Sequence, residues 1–204
     1  MNRFILISKN ILCTVLLIIV FFYPTFGDEK QKITSFVNSI ADRVVDVIES
    51  QSNNEQKREK LNDIFCEYVD IDWMGRFALG KYYRKLNKEQ LQEYLIAYRN
   101  FLINAYVSKF TEYNGQNLYI ESVKVLSKSQ YVVNTKINNP KNATEQINIS
   151  YRIKDFSDQY QIRDMIVGGL SVIIGQKSDF DSIISKDGIN SLIQRLKDKG
   201  KSIR

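Results

Sequence analysis

The chain has no histidine, two cysteines, two prolines and nine glycines in 204 residues, and each scarcity excludes something. Without imidazole, hydrolytic triads built on Ser-His or Cys-His pairs and His-ligated metal centres are ruled out. Cys13 lies in an apolar N-terminal run and Cys66 stands alone in the rest, so a chain trimmed of that run cannot close an internal disulfide. Stability must then come from a hydrophobic core, and Cys66, beside Phe65 and Tyr68 at helical spacing, reads as a small buried hydrophobe. No Gly/Ser-rich stretch or internal repeat divides the sequence, and a segment of this length is expected to form one domain. Phosphate-cradling loops of the Walker kind are missing. Gly169-Leu170-Ser171 continues as Val172-Ile173, without the second glycine of a nucleophile elbow. Asp70-x-Asp72 begins like a calcium loop, but Met74 and Lys81 stand where oxygen ligands are required. A pair of aspartates capping the next helix is the better reading, and no metal site is expected.

What is present begins with an export signal. Arg3 and Lys9 supply a positive region, residues 11–23 an apolar run, and Thr25-Phe26-Gly27 a small-x-small cleavage site. The apolar run is shorter than the ~20 residues of a spanning helix and is followed by Pro24 and Asp28-Glu29. Residues 1–27 are therefore expected to be removed, leaving 28–204 as a single exported domain. Cys13 lacks the small residues before it that lipid attachment needs. The net charge of +6 includes Arg3 and Lys9, so the exported part carries a mild, dispersed excess. No basic stripe with interleaved aromatics suggests nucleic acid. Weak attraction to anionic lipid surfaces or ordinary solubility accounts for the charge.

Periodicity sets the elements. Ile33, Phe36, Val37, Ile40, Val44, Val47 and Ile48 predict an amphipathic helix over 31–50. Leu61, Ile64, Phe65 and Tyr68 mark a second, and a short third spans 72–79, broken near Gly80. Asn87 and Gln90 have capping-box spacing ahead of the longest stripe, from Leu91 through Tyr94, Tyr98, Phe101, Leu102 and Tyr106 to Tyr113, closed by Asn114-Gly115. From Leu118 the period becomes two, with strands at 118–126, 131–138, 146–153 and 160–167 joined by short turns. Helices at 178–185 and 188–199 finish the chain. The fold class is α+β: a four-stranded, twisted antiparallel sheet with helices packed over it. Asp164 falls in phase with Ile162 and Ile166 on the expected inner face of the last strand. It is either an acid/base group or an aspartate held by an arginine or tyrosine hydroxyls to fix the fold, and without a second in-phase acid the latter is preferred.

One block of the sequence has a further reading. Asp70-Ile71-Asp72-Trp73-Met74-Gly75-Arg76-Phe77-Ala78-Leu79-Gly80-Lys81-Tyr82-Tyr83-Arg84-Lys85-Leu86-Asn87-Lys88-Glu89-Gln90 resembles the signature of the MlaC (toluene-tolerance) family of periplasmic phospholipid shuttles. The likeness continues through Tyr98-x-x-Phe101-Leu102-x-x-x-Tyr106. It resumes at Tyr160-x-Ile162-x-Asp164-Met165-Ile166-Val167-x-Gly169-Leu170-Ser171-Val172-Ile173 and Phe180, and ends in Gly188-Ile189-x-x-Leu192-Ile193-x-x-Leu196. Gly168 departs from the acidic residue common before the family's Gly-x-Ser, and Lys177 from a common arginine. The resemblance implies an apolar cavity for acyl tails and no catalytic residues. It implies no cofactor, only phospholipid as cargo. The implied partners are an outer-membrane lipoprotein-porin complex and an inner-membrane ABC transporter with its hexameric lipid-binding subunit. The protein is expected to act as a monomer. The competing reading is a non-catalytic adaptor whose apolar stripe binds a partner helix.

For such a carrier the lining residues follow from phase. They are Trp73 and Phe77 from the signature, Tyr98, Phe101, Leu102 and Tyr106 from the long helix, Val133, Ile149 and Tyr151 from the sheet, and Val167, Leu170 and Ile173 from the last strand and its continuation. Core packing competes for each, and for roughly half it should win. Arg76, Lys81, Arg84 and Lys85 are the expected head-group rim. Gly168-Gly169 permits a close approach or a bulge.

Overall fold

The computed structural model describes residues 26–110, 113, 115–139, 142–157 and 159–201. Residues 1–25 of the expected signal, Asn114 of the first turn, and Pro140, Lys141 and Asp158 of two later turns lie outside the described residues. The helices are α1 (Phe26–Glu49), α2 (Asn54–Tyr68), α3 (Ile71–Leu79), α4 (Lys88–Phe110), α5 (Val172–Asp187) and α6 (Ile189–Gly200). The strands are β1 (Asn117–Ser127), β2 (Gln130–Asn139), β3 (Asn142–Asp155), β4 (Tyr160–Val167) and β5 (Leu170–Ser171), and a 3-10 turn, Gly80–Tyr82, follows α3. The α+β class holds. Among the described residues no helix is long and apolar enough to cross a membrane.

Local chemistry places the helix starts. Asn53 and Gln56 form a reciprocal capping box ahead of α2. Asn87 and Gln90 do the same ahead of α4, where the Gln90 N–H donates to Asn87 Oδ1 at 2.8 Å. Asp70 Oδ1 accepts from the Trp73 N–H at 3.2 Å, so Asp70 caps α3. The link from α5 to α6 is Gly188 at φ 81°, a left-handed conformation that stops one helix and starts the next at low steric cost.

The sheet is an antiparallel meander of five strands in chain order, not four. Gly168 and Gly169 both have positive φ, 57° and 83°, which makes a two-residue hairpin turn. That turn sets Leu170 opposite Val167 and Ser171 opposite Ile166, adding β5. Three further boundaries differ. α1 begins at Phe26 rather than 31, β3 begins at Asn142 rather than 146, and α5 begins at Val172 rather than 178. In α5 the β-branched run Val172-Ile173-Ile174 reads as strand by propensity. It is helical because Ser171 caps it, accepting from the Ile174 N–H at 3.2 Å.

The apolar interior falls into three clusters. One joins α3, α4, α5 and α6 around Tyr94, Tyr98, Leu102, Phe180 and Leu196. Another seats Ile33 and Val37 of α1 on Tyr131, Val133 and Ile153 of the sheet. A third joins α1, α2 and the end of α4 through Val44, Leu61, Ile64 and Val107. Gly75 sits where α3 meets α4: a Cβ there would lie 2.9 Å from Cδ1 of the buried Tyr98 ring and 3.1 Å from Cδ2 of Leu95. Gly75→Ala should therefore lower stability by about 1–2 kcal/mol, net of its better helix propensity, as read from thermal unfolding.

Candidate functional site

The inner face of the sheet carries an apolar row, here called the trough, that is covered at one end and exposed at the other. Cross-strand register aligns Tyr131 with Ile153, Val133 with Tyr151, Thr135 with Ile149, and Ile137 with Ile147. On the β4 side Tyr151 faces Met165, Ile149 faces Val167, and Val167 faces Leu170. Tyr131, Val133 and Ile153 are closed under α1. Farther along, Ile137, Ile149, Tyr151 and Met165 are half-buried, and Ile147, Val167 and Leu170 are exposed. A row of aliphatic side chains whose exposure rises this way has packed half of an apolar face and left the other half uncovered.

Two hydroxyls interrupt the trough. Thr135 is buried and donates to the Ile149 carbonyl at 2.9 Å, so its polarity is neutralised within the sheet. Burial pushes the Tyr151 phenol up to about 12, while the ring keeps part of its surface accessible. Burial likewise raises Tyr94, Tyr98 and Tyr106, the latter two with help from the Asp164 charge. A phenol raised in the folded state favours folding fully below the unfolded value near 10, and that contribution is lost as pH climbs through the folded value. The phenols' contribution to stability should be constant below about pH 10 and fall as pH rises above it, measurable as chemical-denaturation midpoints on either side of that value.

The expected lining residues divide by environment. Tyr98, Leu102, Val133 and Ile173 are core. Tyr98 sits against Tyr94, Phe101 and Phe180 and donates to Gln176 Oε1 at 2.6 Å. Tyr106 stacks on Phe65 at 5.9 Å, and Phe101 is half-buried against the helical cluster. Ile173 is not a strand continuation; it lies in the first turn of α5. The sheet brings Val133, Ile149, Tyr151, Val167 and Leu170 together in register.

Trp73 and Phe77 already have partners. Arg163 lies over Trp73 at 4.5 Å and over Phe156 at 4.8 Å, Trp73 stacks on Phe77 at 5.1 Å, and Lys177 lies over Phe77 at 5.1 Å. With the Arg163–Asp70 ion pair at 2.8 Å, this stack fastens α3 to β4 and α5. Arg163 was invisible to sequence reasoning, since nothing local announces what a strand arginine will cover.

The rim cations gather around the turn after α3. Arg76 lies over Tyr83, Lys81 and Lys85 lie over Tyr82, and Arg84 is exposed. Lys81 also pairs with Asp181 at 2.6 Å. A groove of about 450 Å³ runs here between α3 and α5, lined by Leu79, Gly80, Lys81, Ile174, Lys177, Ser178 and Asp181. A second, of about 380 Å³, lies between α3 and α4, with Asp72, Leu91, Leu95, Ile96 and Arg99 in its walls. Both flank α3, and neither is lined by Val133, Ile149, Tyr151 or Val167, the sheet residues of the expected lining.

Asp164 is 2 % exposed and fully engaged. Oδ2 accepts from the Ser171 hydroxyl at 2.6 Å and forms an ion pair with Arg152 Nε at 3.4 Å, and Oδ1 accepts from the Ile173 N–H at 3.1 Å. A register shift near Arg163 sets Asp164 opposite Arg152 while Ile162 is opposite Ile153, so Asp164 is not in phase with Ile162 as strict alternation predicts. The carboxylate holds the start of α5 against β4. Among the described residues no group of three or more Cys, Asp or Glu side chains could hold a metal.

The family model described as MlaC protein matches residues 37–198. The chain is 25 % identical over 158 residues to the "Intermembrane phospholipid transport system binding protein MlaC" of Haemophilus influenzae, covering 74 % of this chain and 73 % of that one. It is 23 % identical over 139 residues to the "Toluene tolerance protein ttg2D" of Pseudomonas putida, covering 68 % and 64 %. Its fold is similar to that of a phospholipid-binding protein from Ralstonia solanacearum solved in complex with a phospholipid. The TM-score is 0.71 at 21 % identity, over 81 % of this chain and 95 % of that one.

Proposed function

This chain belongs to the MlaC family, and on that premise we propose that it is a periplasmic phospholipid carrier that holds acyl chains along the inner face of its sheet. The observation that carries the proposal is the trough. Ile149, Ile147 and Val167 form an aliphatic row that goes from half-buried to exposed and ends at Leu170 on the hairpin tip. Hydrocarbon is what such a surface takes. Each CH2 withdrawn from water is worth ~0.8 kcal/mol, so a sixteen-carbon tail gains on the order of 12 kcal/mol and does not leave into water unaided. Release then requires docking on an acceptor with its own apolar path.

The same reading makes the chain a monomeric shuttle, trimmed of residues 1–27, between an outer-membrane lipoprotein-porin complex and an inner-membrane ABC transporter with a hexameric lipid-binding subunit. The phosphate head stays at the mouth, because burying it without paired donors is costly. The groove bearing Lys81 and Lys177 also holds Ile174, which follows Leu170 of β5 by four residues. Energy for directional movement comes from the transporter, since the buried carboxylate of this chain is committed to structure.

The test is direct. The protein, purified without detergent and extracted with organic solvent, should release phospholipid at close to one molecule per chain by mass spectrometry. A lipid-free, monodisperse protein that takes up none from vesicles would assign the apolar face to a partner helix instead.

A further inference from the structure

We propose that the β4–β5 hairpin tip and the first turn of α5 form a docking surface for an anionic phospholipid bilayer, with Val167, Leu170 and Ile174 entering the interface and Lys177 lying against the phosphates. This goes beyond the carrier reading, which needs only an acceptor of some kind.

Three observations support it. First, the tip is apolar and outward: Leu170 is 77 % exposed, Ile174 57 % and Val167 39 %, and from Met165 to Gln176 the sequence has no charged residue. Second, glycines occupy places where packing does not require them. Gly168, Gly169 and Gly175 each have open space around the position of a Cβ. The first two are explained by their positive φ, but Gly175 lies within α5, where glycine weakens the helix relative to alanine. A smooth, side-chain-free patch beside Ile174 suits close approach by something outside the molecule. Third, the charge beside the tip has the right sign. Lys177 follows Ile174 by one turn of α5, and Lys81 lines the same groove, with Asp181 pairing Lys81.

The chemistry favours a bilayer over a protein. Protein interfaces are anchored by Trp, Tyr and Arg in fitted pockets, and this tip offers only Val, Leu, Ile and Gly. Interfacial insertion needs just that, aliphatic area with flanking cations. The tip also lies at the open end of the trough, where Val167 faces both Ile149 and Leu170, so docking there would set the cargo's exit against the membrane.

The test is co-sedimentation of the purified protein with vesicles of phosphatidylcholine alone and of phosphatidylcholine mixed with phosphatidylglycerol. Binding is expected to the mixed vesicles and to fall as salt is raised. Leu170→Glu should weaken it roughly tenfold. Lys177→Gln should weaken it about fivefold on mixed vesicles only. Both side chains are exposed, and circular dichroism of each variant checks the fold. A wild-type protein that pellets with neither vesicle, or variants that pellet like the wild type, overturns the proposal. So does capture only by vesicles carrying a protein acceptor, which would make the tip a protein interface. Lipid extracted from the same preparations reports on the carrier reading separately, so cargo-free protein that still binds mixed vesicles leaves the docking surface standing.

Discussion

Asp164→Ala is expected to lower stability by about 3 kcal/mol, a drop in Tm on the order of 6–12 °C for a domain of this size. The carboxylate is buried, accepts from the Ser171 hydroxyl and the Ile173 N–H, and forms an ion pair with Arg152. Alanine leaves the first two without an acceptor in a place water does not reach freely, and an unsatisfied buried group costs ~1–3 kcal/mol. Arg152 adds little, because its side chain is about half exposed and can turn to solvent. Ser171→Ala should cost about 1 kcal/mol, the usual value of a helix cap. Asp164→Asn should fall between, since the amide retains one acceptor oxygen. Differential scanning calorimetry of the three variants tests the ranking. An Asp164→Ala protein that melts with the wild type would show that α5 is held by something else. An Asp164→Asn protein that kept its Tm but lost a chemical turnover would revive the acid/base reading.

The second large effect concerns cargo. Ile149→Trp places an indole on the half-buried stretch of the trough between Thr135 and Val167. There it competes with about two or three CH2 groups of a bound tail, worth ~2 kcal/mol, which corresponds to roughly thirtyfold weaker retention. Since Ile149 is only half-buried, the ring can be housed without unfolding the domain. Phospholipid per protein after a fixed dilution and wash should drop accordingly while the melting curve stays close to wild type. The informative control is Leu170→Trp. Leu170 projects from the hairpin tip, so a tryptophan there fills nothing and should leave retention unchanged. If Leu170→Trp empties the protein and Ile149→Trp does not, the tails lie elsewhere.

Much of the scaffold is legible in the residues because its signals are local. The capping boxes at Asn53 and Asn87, the 3.6 period of α4 and the alternation of Ile147, Ile149, Tyr151 and Ile153 each depend on neighbours a few positions away. The exceptions share a cause. Val172-Ile173-Ile174 is helical although β-branched, because a hydroxyl and a carboxylate from flanking strands hold its N-terminus. Gly168-Gly169 is a hairpin turn because the chain folds back to pair Ser171 with Ile166. Asp164 leaves its expected phase because β4 carries one extra residue at a bulge.

By itself, then, the sequence determined an α+β chain without imidazole chemistry, since composition and periodicity are properties of the chain alone. Only the tertiary structure decided which apolar residues are core and which are surface. Tyr98, Leu102, Val133 and Ile173 are interior while Val167, Leu170 and Ile174 are exposed, yet all are apolar. It also decided that Trp73 and Phe77 are covered by Arg163 and Lys177. The physical reason is that burial depends on what other segments bring across space, and α1 reaches over only one end of the sheet. The uncovered end is where the cargo is proposed to lie.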